Sequence, residues 1–441
     1  MKNIDTLLNA RWIIPVDGNE HCLSDHSIAI HDERILDILP TEKANKAYQA
    51  QTEIDYPDHA LIPGLINAHT HAAMNLFRGL ADDLPLMDWL NNHIWPAEAK
   101  WVNEEFVQLG TELACAEMLR SGTTCFNDMY FFPDVAARVA SKAGIRAMIG
   151  LIAIDFPTIW ARDADEYIDK GLIIADDYRS NELINTAFAP HAPYTVSDQP
   201  LEKIRMLADE LDLPIHMHVH ETAHEVDEAV EKTGKRPLQR LAELGLISPN
   251  LIAVHMTQLL PKEIEQLAAA GSHIVHCPES NLKLASGFCP VKQLLDAGVN
   301  VALGTDSASS NNDLDMFGEM KTAALLAKGV SGDATALPAH QALSMATING
   351  ARALGISDKT GSLSIGKYAD LVAVNFSSVE ASPVYDPISH LVYCCGREQV
   401  SDVWVAGKHV MKNRTITTLE VNRIKQAAIE FSAKLNNDGL E

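Results

Sequence analysis

Residues 60–71 read ALIPGLINAHTH, and residues 213–222 read LPIHMHVHET. Each is an apolar, β-branched run that ends in histidines. Runs of this kind, punctuated by proline or glycine, predict strands buried on both faces, as in a parallel sheet. Six more follow the same rule. They are GTTCFNDMY (122–130), RAMIGLIAI (146–154), INTAFAPHAPYT (184–195), LIAVHMTQ (251–258), SHIVHCPESN (272–281) and VNVALGTDSASS (299–310). Helical stretches separate them, among them EEFVQLGTELACAEMLRS (104–121) and PKEIEQLAAAG (261–271). Eight βα units in succession predict a closed (β/α)8 TIM barrel, with an open doubly wound sheet as the competing reading. An open-sheet nucleotide binder needs a glycine-rich phosphate loop, and neither GxGxxG nor GxxxxGK[ST] follows an early strand.

On either side of this α/β middle the texture changes. Short β-like runs with turn signals fill the first sixty residues (DTLLNARWIIP, HSIAIHDERILDILP) and return in GSLSIGKYADLVAVNF (361–376) and SDVWVAGKHVMKN (401–413). Both ends therefore predict one small β-sandwich domain, built from residues 1–60 and 363–441 around a barrel over 61–362. VNRIKQAAIEFSAKL (421–435) predicts an amphipathic helix packed on the outside.

The charge balance is strongly acidic, with 35 Lys and Arg against 59 Asp and Glu, a formal net charge of −24. Such a surface repels phosphate backbones and anionic lipid, so neither nucleic acid nor a membrane is expected as a partner. No stretch approaches the roughly 20 apolar residues of a membrane span, and the amino terminus lacks the apolar core of a secretory signal. The seven cysteines form no CxxC pair, which predicts reduced thiols in a cytoplasmic protein. Homo-oligomerisation stays open.

Position carries the chemistry. His69, His71, His191, His218, Glu221, His255 and Asp306 each stand at the carboxyl end of a predicted strand. In a barrel those ends share one rim, where active sites are built. His69 and His71 are two apart and point to one side of their strand, so both imidazoles can reach one ion. In HMHVHE, His218 is read as a ligand and Glu221 as an acid/base, with His216 deeper as a filler of the barrel interior and His220 facing either a loop or the layer of residues behind the ligands. His255 stands where it can stabilise developing charge. Asp306, in a GTD turn that elsewhere often merely caps a helix, becomes a fourth ligand and base opposite three histidines. Three neutral imidazoles and a carboxylate leave a divalent ion open to water, whose pKa it lowers towards roughly 7. Zinc is the expected metal, although iron, manganese or nickel also suit this donor set. The fourth strand carries no lysine to bridge a second ion, so one ion is expected, and His191 is free to contact substrate.

PGLINAHTH, HxxE, the sixth-strand histidine and GTD occur in barrel order, and on these residues the chain resembles the amidohydrolase superfamily. HTHAAMNLFRGLADDLPLMDWL (69–90), HIWPAEAKW (93–101) and APHAPYT (189–195) are similar to members that deaminate adenine nucleosides. The resemblance implies hydrolytic removal of the ring amine of 5′-methylthioadenosine, with S-adenosylhomocysteine or adenosine as further substrates. It implies metal ligation by His69, His71, His218 and Asp306, Glu221 at the purine, Glu98 on the ribose hydroxyls and His191 on the purine or sugar. A homocysteine carboxylate calls for an arginine. After the third strand only Arg162 is on offer, while Arg146 stands at that strand's opposite end; the shorter thioether is therefore the expected substrate. HCPESNLKLASG (276–287) is expected to line the pocket around Asn281. Related enzymes acting on guanine, cytosine or an s-triazine share the metal chemistry and remain the alternative. A barrel that had lost catalysis would lack ligands, whereas here the set is complete.

Overall fold

The computed structural model describes residues 1–19 and 21–437, and among them sixteen strands form two eight-stranded sheets. The amino-terminal segment supplies β1 (Lys2–Ile13), β2 (Leu23–His31), β3 (Arg34–Pro40) and β4 (Tyr48–Pro63). The barrel begins with β5 (Leu65–Thr70), β6 (Thr123–Met129), β7 (Arg146–Ala153) and β8 (Ile184–Pro190). It continues through β9 (Ile215–Val219), β10 (Leu251–His255), β11 (His273–His276) and β12 (Asn300–Leu303). The chain then returns to the first sheet with β13 (Leu371–Asn375), β14 (Val400–Val405), β15 (Lys408–Lys412) and β16 (Thr415–Ile416).

β5 to β12 are parallel neighbours in chain order, and they are the eight stretches expected from the sequence. Every residue of β5, β6, β7, β9 and β10 is buried, which accounts for their unbroken apolar runs. The seam between the first and last barrel strands is stitched just beyond β12. There Asp306 N–H donates to the His69 carbonyl (3.0 Å). The Asn67 amide donates to Thr305 Oγ1 (2.7 Å) and accepts from the Thr305 N–H (3.0 Å). Gly304 permits this approach, because a Cβ there would stand 2.8 Å from the His69 backbone nitrogen.

In the other sheet β4 is the pivot. It runs parallel to β1 and then antiparallel to β13 over His59–Pro63. Leu8, Ile28 and Ile30 from the amino-terminal strands share a core with Leu371, Ala373 and Trp404 from the carboxyl-terminal ones, so both chain ends build one sheet and one core. A buried ion pair anchors this unit to the barrel base, with Arg146 Nε, at the start of β7, 3.0 Å from Asp370 Oδ2.

Between β5 and the helix Glu104–Arg120, residues 72–101 form short helical turns (Ala72–Phe77, Leu86–Trp89, Leu90–Ile94, Trp95–Trp101) that roof the carboxyl ends of the strands. Phe77, Trp89, Ile94 and Phe106 hold the roof in an apolar cluster that also takes in Leu435. The terminal helix Val421–Asn437 thus lies against the roof, with Phe431 5.4 Å from Phe106 and 5.7 Å from Trp101 between ring centroids. No helix among the described residues is long and apolar enough to cross a membrane.

Candidate active site

The strand ends bring six of the sequence-predicted residues into one cluster at the floor of the barrel mouth. Nε2 of His69 lies 3.2 Å from Nε2 of His218 and 3.4 Å from Oδ1 of Asp306, and Nε2 of His71 lies 3.3 Å from the same oxygen. His255 joins this ring, its Nε2 3.8 Å from Oε2 of Glu221. Ligands held about 2.1 Å from a tetrahedral ion stand roughly 3.4 Å apart, which is the spacing found here. Three imidazoles and one carboxylate also match the donor preference of zinc. The residues present fit a single divalent ion.

The outer ring nitrogens fix which face of each histidine is available. His71 Nδ1 contacts the Met129 carbonyl (2.5 Å) and His218 Nδ1 the His191 carbonyl (2.8 Å). A carbonyl only accepts, so both rings carry their proton on Nδ1 and turn an Nε2 lone pair inward. His69 Nδ1 meets a different partner, Nε2 of His216, at 2.9 Å. The expectation that His216 is an interior filler is therefore incomplete, because it touches the innermost candidate ligand. His220 is buried as well, and its Nε2 accepts from the Leu238 N–H (3.2 Å) rather than facing the cluster.

Asp306 is gripped from behind. Its Oδ2 accepts from Ser280 Oγ (2.6 Å) and Ser310 Oγ (2.9 Å), and its Oδ1 accepts from the Ser307 N–H (2.8 Å). Burial opposes its charge, yet the hydrogen bond and charge of His69 hold the carboxyl well below the usual range. Glu221 is moved the other way, since burial raises its pKa more than His255 lowers it. Two carboxyls lining one cavity are thus biased toward opposite protonation states, the pattern expected of a base and an acid. Burial keeps His69 neutral, its pKa pushed down to about 4.

A cavity of about 650 Å³ opens above this cluster, within the range of small-molecule sites. Its walls come from the roof (Leu86, Trp89, Leu90, Trp95), from Ile152 and Ile154 of the β7 end, and from Phe156 and Ile159 beyond it. Glu98, on the roof helix Trp95–Trp101, faces the cavity and accepts from Tyr130 OH at 2.7 Å. Burial pushes its carboxyl up to about 7 despite that bond. His191 lines the same space, with Nδ1 3.0 Å from Thr195 Oγ1 and burial lowering its pKa to about 3.

One expectation changes. Asn281 does not line the cavity; only 1% exposed, it holds His255 from behind, Oδ1 to Nδ1 2.9 Å. Arg162 lies outside the cavity as well, paired with Glu166 (2.7 Å) on a side chain 84% exposed. Among the described residues lining the cavity there is no lysine or arginine. The sequence reading missed Ser280, Ser310 and Tyr130. Each follows a barrel strand within seven residues, and that position was the available signal.

Comparison with known proteins agrees with this geometry. The profile of the amidohydrolase family matches residues 60–410. A 5-methylthioadenosine/S-adenosylhomocysteine deaminase from Teredinibacter turnerae is 52% identical over 432 residues, covering 98% of each chain. A 5′-deoxyadenosine deaminase from Methanothermobacter thermautotrophicus is 44% identical, covering 99% of this chain and 100% of the relative. Among solved structures, a zinc-bound adenosine deaminase from Xanthomonas campestris superposes with a TM-score of 0.98 at 51% identity, over 99% of both chains. An atrazine chlorohydrolase from Arthrobacter aurescens has a TM-score of 0.91 over 97% of this chain, but at 23% identity it speaks to the fold alone.

Proposed function

This chain belongs to the amidohydrolase family, and from that premise we propose that it hydrolytically deaminates the adenine ring of 5′-methylthioadenosine, releasing ammonia and the inosine analogue. The observation that carries the reading is two overlapping ligand clusters, His69/His71/His218 and His69/His255/Asp306, at the floor of a cavity that also presents Glu221 and Glu98.

His69, His71, His218 and Asp306 would hold one zinc ion, which when bound would act as a Lewis acid and lower the pKa of a water towards roughly 7. Asp306, whose Oδ1 faces the histidines, would serve as the base that accepts a proton from the attacking water. Glu221, which burial biases toward the protonated form, gives its proton to the ring nitrogen beside the attacked carbon. His255, held by Asn281, stabilises the charge that develops at that carbon. Collapse returns the hydroxyl proton to Glu221 while Asp306 protonates the departing amine, so both carboxyls are restored and ammonia leaves.

Glu98 accepts from the two ribose hydroxyls, and His191 contacts the purine or sugar. A wall without cations, lined by Trp89, Leu90, Phe156 and Ile159, suits a short apolar 5′ substituent and gives no ion-pair partner to a carboxylate or phosphate. The test is to incubate the purified protein with 5′-methylthioadenosine, 5′-deoxyadenosine, adenosine, S-adenosylhomocysteine and guanine. Ammonia release and the purine absorbance shift are followed before and after chelation. Chelator-sensitive turnover of the methylthio nucleoside is expected; turnover of guanine alone would overturn the proposal.

A further inference from the structure

Of the three histidines proposed as ligands, two have their outer nitrogen fixed by a backbone carbonyl and one by another side chain. His216 lies one turn of the pleat below His218 on β9, so both imidazoles enter the barrel from the same side. It is fully buried, Nε2 being 2.9 Å from His69 Nδ1 with the rings at 74°. For His69 to offer a lone pair at Nε2, its proton must sit on Nδ1 and be donated to His216 Nε2. His216 must then carry its own proton on Nδ1. That atom has no hydrogen-bond partner among the described residues. A buried donor left unpaired is costly, so packing alone gives no reason for an imidazole at this position.

We propose that His216 is a positioning residue that locks His69 into the tautomer able to ligate through Nε2, giving this ligand the support that carbonyls give the other two. The proposal rests on His69 being a metal ligand. Second partners of ligating histidines typically set metal affinity by 10–100-fold.

The test compares His216→Leu, which removes the acceptor, with His216→Gln, whose amide oxygen can accept the same hydrogen bond. Zinc affinity is read by competition with a chromophoric chelator, and thermal unfolding is followed on metal-stripped protein. The leucine variant is expected to bind zinc about 10–100-fold more weakly, while its metal-free melting temperature is equal to or above that of the parent. The glutamine variant is expected to recover affinity to within about threefold. Should the leucine variant not fold, His216→Phe keeps a ring without an acceptor and is read in the same way. Parent-like zinc affinity in the leucine or phenylalanine variant overturns the proposal, as does a glutamine variant as weak as leucine. If the parent chain itself binds no zinc, the reading of the metal centre fails instead.

Discussion

Asp306 sits at φ 64°, in the left-handed region, and so does His255 at φ 73°. Asparagine tolerates that backbone nearly as well as aspartate, so Asp306→Asn tests charge without adding strain. Turnover is expected to fall by roughly 10²–10⁴-fold with reduced zinc content, while the melting temperature of metal-stripped protein stays within a few degrees. Glu221→Gln should lose rate on the same scale and keep its zinc. Near-parent kcat in either would show the assigned role to be wrong. Glu98 gives a pH signature. Its carboxyl is raised to about 7, so the ionised form that accepts from ribose is present above that pH and lost as pH falls through it. KM for the nucleoside should be about tenfold higher at pH 6 than at pH 8, a slope that Glu98→Gln removes. In the sequence, His69, His71, His218, Glu221, His255 and Asp306 stood out because each closes a strand. Glu98 closes none and was visible only through family resemblance. His216 looked inert because its partner, His69, lies 147 residues earlier in the chain.

At the level of elements, the barrel is legible because eight buried strands leave eight apolar runs, each stopped by the polar residues of its rim. The roof over residues 72–101 is not, since its turns are short and their apolar side chains face a cavity rather than a periodic groove. The seam between β5 and the end of β12 was equally hidden, because no local pattern announces that Asn67 will bond Thr305. Gly304 carries the prediction that belongs here. Its missing Cβ would press on His69 at 2.8 Å. Gly304→Ala should therefore cost about 1–3 kcal/mol in denaturant unfolding and lower zinc occupancy together. Loss of stability with undisturbed metal binding would separate the seam from the site.

For the whole molecule, composition and texture revealed that both ends of the chain join one β unit, but not how that unit is fastened to the barrel. Arg146 and Asp370, 1% and 0% exposed, do so beneath the strands, on the side away from the cavity. Arg146→Met leaves the Asp370 charge buried without its partner. It should reduce unfolding free energy by about 3–5 kcal/mol, measured by urea titration, with kcat essentially unchanged. A matching fall in kcat would mean that the base and the mouth of the barrel are coupled. The pairing of β4 with β13 has a consequence for biosynthesis. Pro63 leaves the ribosome roughly 300 residues before Leu371, a wait of about 15–60 s at ordinary translation speed. Throughout that interval the nascent protein carries an open strand edge, so the period of greatest exposure to chaperones and to aggregation falls while the barrel is still being made.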